Sequence, residues 1–186
     1  MPKKICQYFM KVAIISDVHD NLTNLEKFLD WVKENNLDEI FVCGDLCATA
    51  TLVKVLAPGF SGKIRLVFGN VCNRDLEKEK VGEFKNVIHY GDLAEFNISK
   101  RMGVDSNADE RGWIVAMTHF PEVAKKLAES QKYDMVFYGH SHQPWIEQVG
   151  KTVLANPGTL AGMFSEATFA VWNTASNKLE LKRLWV

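Results

Sequence analysis

The chain has 186 residues, 47% of them hydrophobic, which suffices for a single domain, 1–186, with a sizeable core. Lys and Arg number 22 against 23 Asp and Glu, giving a formal net charge of −1 with no long block of like charge, so the composition carries no nucleic-acid signature. No apolar run approaches the roughly 18–20 residues of a membrane span, and the first ten residues lack the apolar stretch and cleavage site of a secretory leader; a cytoplasmic protein is expected.

Residues 1–9 show no pattern and read as a poorly ordered leader, with Met10 as an alternative start just ahead of the first strand. Residues 12–16 form a short apolar run that Asp17 ends, the pattern of a buried parallel strand entering a functional loop. Asn21 or Thr23 can cap the next helix, where Leu22, Leu25, Phe28, Leu29 and Val32 recur at helical spacing with Trp31 at the margin. Strand, polar loop and helix then repeat. Ile40 to Cys43 ends at Gly44-Asp45, a helix covers about 49–57, and Ile64 to Phe68 ends at Gly69-Asn70.

The second half changes character. Strand-like runs at 93–98, 113–118, 134–138, 145–149, 152–155, 168–173 and 179–184 are separated by one clear helix near 121–131, which favours a mixed α/β sandwich over a doubly wound sheet. The polar stretch 99–112 reads as a long, solvated hairpin connection. Its Asp105, Asn107 and Asp109 alternate as in a calcium loop, but Glu110 stands where the sharp turn needs Gly. Cys6, Cys43, Cys47 and Cys72 read as reduced thiols, and Cys43 with Cys47 lacks the second pair or spaced His of a structural zinc site. Asn156-Pro157-Gly158-Thr159 reads first as an ordinary turn, and Leu184-Trp185-Val186 as the end of the last strand or an apolar interface patch.

The polar chemistry collects at strand ends. Asp17 and His19, two residues apart, project to one side of an extended backbone and together suit one metal. Asp45 follows a second strand and offers two carboxylate oxygens to two cations; Asn70 follows a third with a neutral amide oxygen. Thr118-His119 and Gly139-His140-Ser141-His142 add three imidazoles at later strand ends. Four of the five histidines thus stand where strands finish, and His89 is left without a role.

In chain order these elements, Asp17-Val18-His19, Gly44-Asp45, Gly69-Asn70, Thr118-His119 and Gly139-His140-Ser141-His142, resemble the calcineurin-like metallophosphoesterases over residues 12 to about 160. The small size and the segment Asn156 to Thr159 are similar to the small bacterial and archaeal phosphodiesterase group of YfcE type. The resemblance implies a four-layer αββα sandwich of two mixed β-sheets flanked by helices, with the site on loops at one end. It implies two divalent transition metal ions, Mn²⁺ first and Ni²⁺, Fe, Co²⁺ or Zn²⁺ as alternatives for a mixed nitrogen and oxygen donor set. One ion would take Asp17, His19, Asp45 and His142, the other Asp45, Asn70, His119 and His140, with Asp45 as the bridge.

The implied activity is hydrolysis of a small-molecule phosphate ester, foremost a phosphodiester, by hydroxide held between the ions, with Asp45, Asn70 and His119 at the reacting centre. A homo-oligomer is the implied assembly. The same fold serves as a protein-binding scaffold in the retromer coat, and a nucleotide- or metal-sensing protein is a further alternative; the complete donor set favours catalysis. Three positions depart from the family pattern. Val71 stands where many larger relatives place a His able to assist the leaving group, Phe120 stands where relatives commonly place Gly, and the loop from Val71 to Asp75 is longer than the group's Gly-Asn-Cys-Asp. In that loop the Arg74 fork could grip a phosphate oxygen or pair with Asp75 or Glu77. Cys47 and Cys72 lie on two loops that should both approach the site.

Overall fold

The computed structural model describes residues 10–98 and 112–184. The leader, nearly all of the 99–112 connection with its calcium-like residues, Cys6, and the final Trp185-Val186 lie outside the described residues. Two mixed sheets stack face to face. In the first, β1 (Lys11–Ile15), β2 (Glu39–Val42), β3 (Lys63–Leu66) and β4 (Val87–His89) run parallel, and β10 (Thr168–Asn173) and β11 (Lys178–Arg183) extend it antiparallel beside β1. In the second, β6 (Trp113–Thr118), β7 (Met135–Phe137) and β9 (Thr152–Asn156) are parallel, flanked by antiparallel β5 (Leu93–Ile98) and β8 (Trp145–Val149).

Successive side chains of a strand point to opposite faces, so a strand buried on both faces is apolar throughout. In β1, Ala13 and Ile15 pack under helix α1 (Leu22–Glu34) with Leu25, Phe28 and Val32, whereas Val12 and Ile14 face the other sheet. The same alternation divides Ile40 and Val42 from Phe41 in β2. Between the sheets Phe41, Val115, Met117, Phe137 and Trp172 form the central core. On the outer face of the second sheet, Ala116, Val136 and Leu154 meet Ala124 and Ala128 of helix α5 (Pro121–Glu129). Helix, sheet, sheet, helix are therefore the four layers expected.

Local differences have local causes. Asn21, not Thr23, caps α1, its side chain accepting from the Asn24 N–H at 3.1 Å. Leu22 leaves the apolar stripe and is exposed. The helix expected near 49–57 is broken into α2 (Thr49–Thr51), a π-turn over Leu52–Leu56, and α3 (Ala57–Gly59). Pro58 has no N–H to continue an α ladder, and the Ala57 N–H reaches back five residues to the Leu52 carbonyl. Strand β4, three residues long with only Val87 buried, is too short to leave an apolar pattern in the sequence.

Helix α4 (Arg74–Val81), capped by Asn73, docks against β4 through a buried contact. Glu77 Oε1 lies 3.2 Å from His89 Nε2. His89 Nδ1 accepts from the Gly91 N–H at 2.9 Å, so the ring proton sits on Nε2, which is close to the carboxylate but makes no aligned hydrogen bond with it. His89 therefore acts as a tie between helix and strand.

Candidate metal centre

All seven residues expected at the site converge at the carboxyl ends of parallel strands from both sheets, where open α/β folds place ligands. Asp17 and His19 follow β1, Asp45 follows β2, Asn70 follows β3, His119 follows β6, and His140 and His142 follow β7. Five of them, Asp17, His19, Asp45, His140 and His142, have φ between 44° and 69°, a backbone region that few non-glycine residues adopt. Such strain persists only where the surroundings enforce it, and it clusters at functional sites. Here the enforcement is a backbone zipper: the Val18 and His19 N–H groups both donate to the Asp45 carbonyl at 3.0 and 3.1 Å, and Asp20 N–H donates to Leu46 O.

Two glycines permit the close approach. A Cβ at Gly69 would overlap the Asp45 carboxylate, and one at Gly139 would overlap the Ser16 hydroxyl and crowd Asp17 Oδ2. The glycines before Asn70 and His140 are thus steric requirements of the neighbouring carboxylates.

The donor atoms fall into two groups. In one, Nε2 of His19 and Nε2 of His142 are 3.2 Å apart and lie 3.6 and 3.2 Å from Asp17 Oδ1. The outer nitrogens are engaged elsewhere: His19 Nδ1 is 3.2 Å from Cys47 Sγ, and His142 Nδ1 is 3.4 Å from the Met163 carbonyl. In the other group, Asn70 Oδ1 is 2.9 Å from both His119 Nε2 and His140 Nδ1, and Asp45 Oδ2 is 3.3 Å from His119 Nε2. His119 Nδ1 meets the Cys43 carbonyl at 2.8 Å, which places its proton there and leaves the Nε2 lone pair toward Asp45 and Asn70.

Asp17 joins the groups. Its Oδ2 accepts from the His140 N–H at 3.0 Å, and its ligand atoms lie within reach of Asp45 and His119 as well as of His19 and His142. Asp17 Oδ1 is fully buried without a hydrogen-bond partner, an expensive arrangement for a carboxylate unless a cation completes it. Burial works to raise the Asp45 pKa, but the His119 contact and the Val71 N–H at 2.8 Å outweigh it and lower the pKa. Burial also works against charge on His119, yet Asp45 and the Cys43 carbonyl raise its pKa.

Supporting residues were harder to find in the sequence. Asn156 is wholly buried; its amide donates to the Gly139 carbonyl at 2.9 Å and to Ser141 Oγ at 3.0 Å, bracing the loop that carries His140 and His142. Thr159 donates its hydroxyl to the Asp17 carbonyl at 2.8 Å. The Asn-Pro-Gly-Thr turn therefore buttresses two donor loops, a role that its ordinary turn composition concealed. Cys47 and Cys72 do approach the site and face each other in a β-bridge between their loops. Arg74 pairs with neither Asp75 nor Glu77. It reaches Asp92 at 2.7 Å and lies over the Phe68 ring.

A four-layer αββα sandwich with carboxylate, amide and imidazole donors gathered at its strand ends defines the class of calcineurin-like phosphoesterases. The family's model, described as the calcineurin-like phosphoesterase superfamily domain, matches residues 10–177, and the chain belongs to that superfamily, hydrolases acting on phosphoric ester bonds. Within it, the chain is 27% identical over 153 residues to a phosphodiesterase from Methanocaldococcus jannaschii, covering 82% of this chain and 86% of that protein. A solved structure described as a novel archaeal phosphodiesterase superposes with a TM-score of 0.80 at 25% identity, covering 94% of this chain and all of that one. The E. coli phosphoesterase YfcE shares the fold at a TM-score of 0.63 and 18% identity, covering 95% of this chain and all of that one. These relatives support the small phosphodiesterase group. Among the described residues no helix is long and apolar enough to cross a membrane.

Proposed function

We propose that the chain is a phosphodiesterase that depends on two divalent transition cations, Mn²⁺ being the first choice for this donor set. Asp17, His19, Asp45 and His142 would hold one cation, and Asp45, Asn70, His119 and His140 the other. The observation that carries the reading is the buried, unpartnered Asp17 Oδ1 facing two imidazole nitrogens that are only 3.2 Å from each other. A carboxylate oxygen buried beside two imidazole nitrogens with no hydrogen-bond donor of its own is costly unless a positive charge lies among the three.

When bound, such cations supply Lewis acidity, which generates a nucleophile from water near neutral pH and offsets charge on the phosphate and the leaving oxygen. The protein's own part is orientation. The Cys43 carbonyl fixes the His119 tautomer, the Val71 N–H holds one Asp45 oxygen so that the other faces His119, and the His140 N–H does the same for Asp17. Val71 in place of a His offers no proton to the leaving alkoxide, so esters with good leaving groups should react fastest.

The test is hydrolysis of bis(p-nitrophenyl) phosphate with added Mn²⁺ by wild type, Asp45→Asn and His119→Ala. Both substitutions should reduce kcat/KM by at least a hundredfold, on the order of what loss of a charge-stabilising group at a reacting centre costs. Full activity in both variants would sink the assignment of these residues, and absence of turnover by wild type would reopen the scaffold and sensor alternatives.

A further inference from the structure

Both places where the family pattern puts a small or proton-bearing residue beside the metals carry an apolar side chain here, Val71 and Phe120. Phe120 leans on both imidazoles of one donor group, its ring centroid 5.2 Å from that of His119 and 5.5 Å from that of His140. Val71, next to Asn70, is 46% exposed. Beside the other donor group the loop after β9 brings Met163, 43% exposed, and Phe164, 93% exposed.

Phe164 is not a stray surface ring. Its neighbours on both sides are tied to the second donor loop: the Met163 carbonyl lies 3.4 Å from His142 Nδ1, and the Ser165 hydroxyl donates to the His142 carbonyl at 2.8 Å. The ring itself stands 5.8 Å from the His142 imidazole, held there by a backbone at φ 64°. Scattered exposed apolar residues need no explanation, but a group of them collected around a polar donor cluster marks a binding surface.

We propose that Val71, Phe120, Met163 and Phe164 form an apolar collar that receives a flat, aromatic ester arm of the substrate, so that the natural substrate is a phosphodiester bearing an aryl ring or a nucleobase. This rests on the phosphodiesterase reading of the same site. A diester carries two arms that diverge from phosphorus, and the collar has one phenylalanine beside each donor group.

The experiment varies only the arm that does not leave. Bis(p-nitrophenyl) phosphate and methyl p-nitrophenyl phosphate release the same p-nitrophenolate, and the ratio of their kcat/KM values is measured for wild type, Phe164→Ala and Phe164→Tyr with Mn²⁺. In parallel, binding of diphenyl phosphate relative to dimethyl phosphate is measured by calorimetry on the same Mn²⁺-loaded proteins. Intrinsic reactivity cancels in the change of the ratio between proteins. Ring stacking should make the aryl preference fall about fivefold or more in Phe164→Ala and survive in Phe164→Tyr, in turnover and in binding alike. An aryl preference that is the same in all three proteins overturns the collar while leaving phosphodiester hydrolysis intact. A binding preference lost in Phe164→Ala, with no turnover of either diester by wild type, upholds the collar and defeats the phosphodiesterase reading instead. Phe164 is almost fully exposed, so its replacement does not threaten folding.

Discussion

Replacing Asn156 with alanine probes how the imidazoles after β7 are held. The buried amide gives two hydrogen bonds, to the Gly139 carbonyl and Ser141 Oγ, and its oxygen accepts a third from the Gly158 N–H at 2.8 Å. At about 1 kcal/mol net for each, and with the Gly158 donor left buried and unpaired, the substitution should cost roughly 3 kcal/mol of stability. Ser141 sits between His140 and His142, so the same change frees the loop that aims both rings. Loss of such support lowers metal affinity about 10- to 100-fold. Asn86→Ala is the control. Its amide likewise donates to backbone carbonyls, those of Phe60 at 2.7 Å and Ala57 at 3.2 Å, but it touches no donor loop. Urea denaturation of the metal-free proteins gives the stabilities, and calorimetric titration with Mn²⁺ under folded conditions gives the affinities. Both variants should be destabilised, and only Asn156→Ala should bind Mn²⁺ more weakly. Wild-type affinity in Asn156→Ala would refute the bracing role.

Two further outcomes are expected. Burial, with Asp20, Asp45 and Asp17 nearby, pushes the Cys47 thiol up to about 11, so in the metal-free protein at pH 8 its alkylation by iodoacetamide, followed by mass spectrometry, should be about a hundredfold slower than that of a free cysteine; a rate equal to that of free cysteine would contradict the packing described for this loop. Glu77→Leu removes the buried carboxylate 3.2 Å from His89 Nε2 and should cost about 1–3 kcal/mol by urea denaturation, the range for losing a buried polar contact, whereas an unchanged midpoint would mean that this contact does not dock α4.

The legible parts of the sequence were those in which one residue type answers to one physical demand. Apolar runs broken by Asp, Asn or His marked β1, β2, β3, β6 and β7 and named all seven residues that the fold draws together. The four-layer arrangement came from the family resemblance, since strand spacing alone leaves the sheet order open. What stayed hidden depends on contacts between distant segments. Asn156 looks like any turn residue until Gly139 and Ser141 are placed beside it, 17 and 15 residues away. His89 looked idle because its partner Glu77 belongs to a helix whose composition is almost wholly polar. Arg74 pairs with Asp92 rather than with Asp75 or Glu77, the acids beside it in sequence. The π-turn at Leu52–Leu56 was foreshadowed by Pro58, but the apolar periodicity around it masked the break.

The division of donors between the sheets governs when the centre can exist. Asp17, Asp45 and Asn70 supply every side-chain oxygen and are synthesised before residue 71, whereas three of the four imidazoles, His119, His140 and His142, come from the other sheet. A growing chain that has made only the first parallel strands carries a hard, oxygen-rich half with His19 as its single nitrogen, a set better suited to magnesium or calcium than to a transition ion. Only after His142 has emerged and the second sheet has docked is the full set of oxygen and nitrogen donors assembled. A cation bound at the proposed centre would clasp the two sheets together, adding about 2.7 kcal/mol to the assembled state when present at a hundred times its dissociation constant. A chelator should therefore act first on the contact between the sheets, and leave the hydrogen-bonded ladders within each sheet in place.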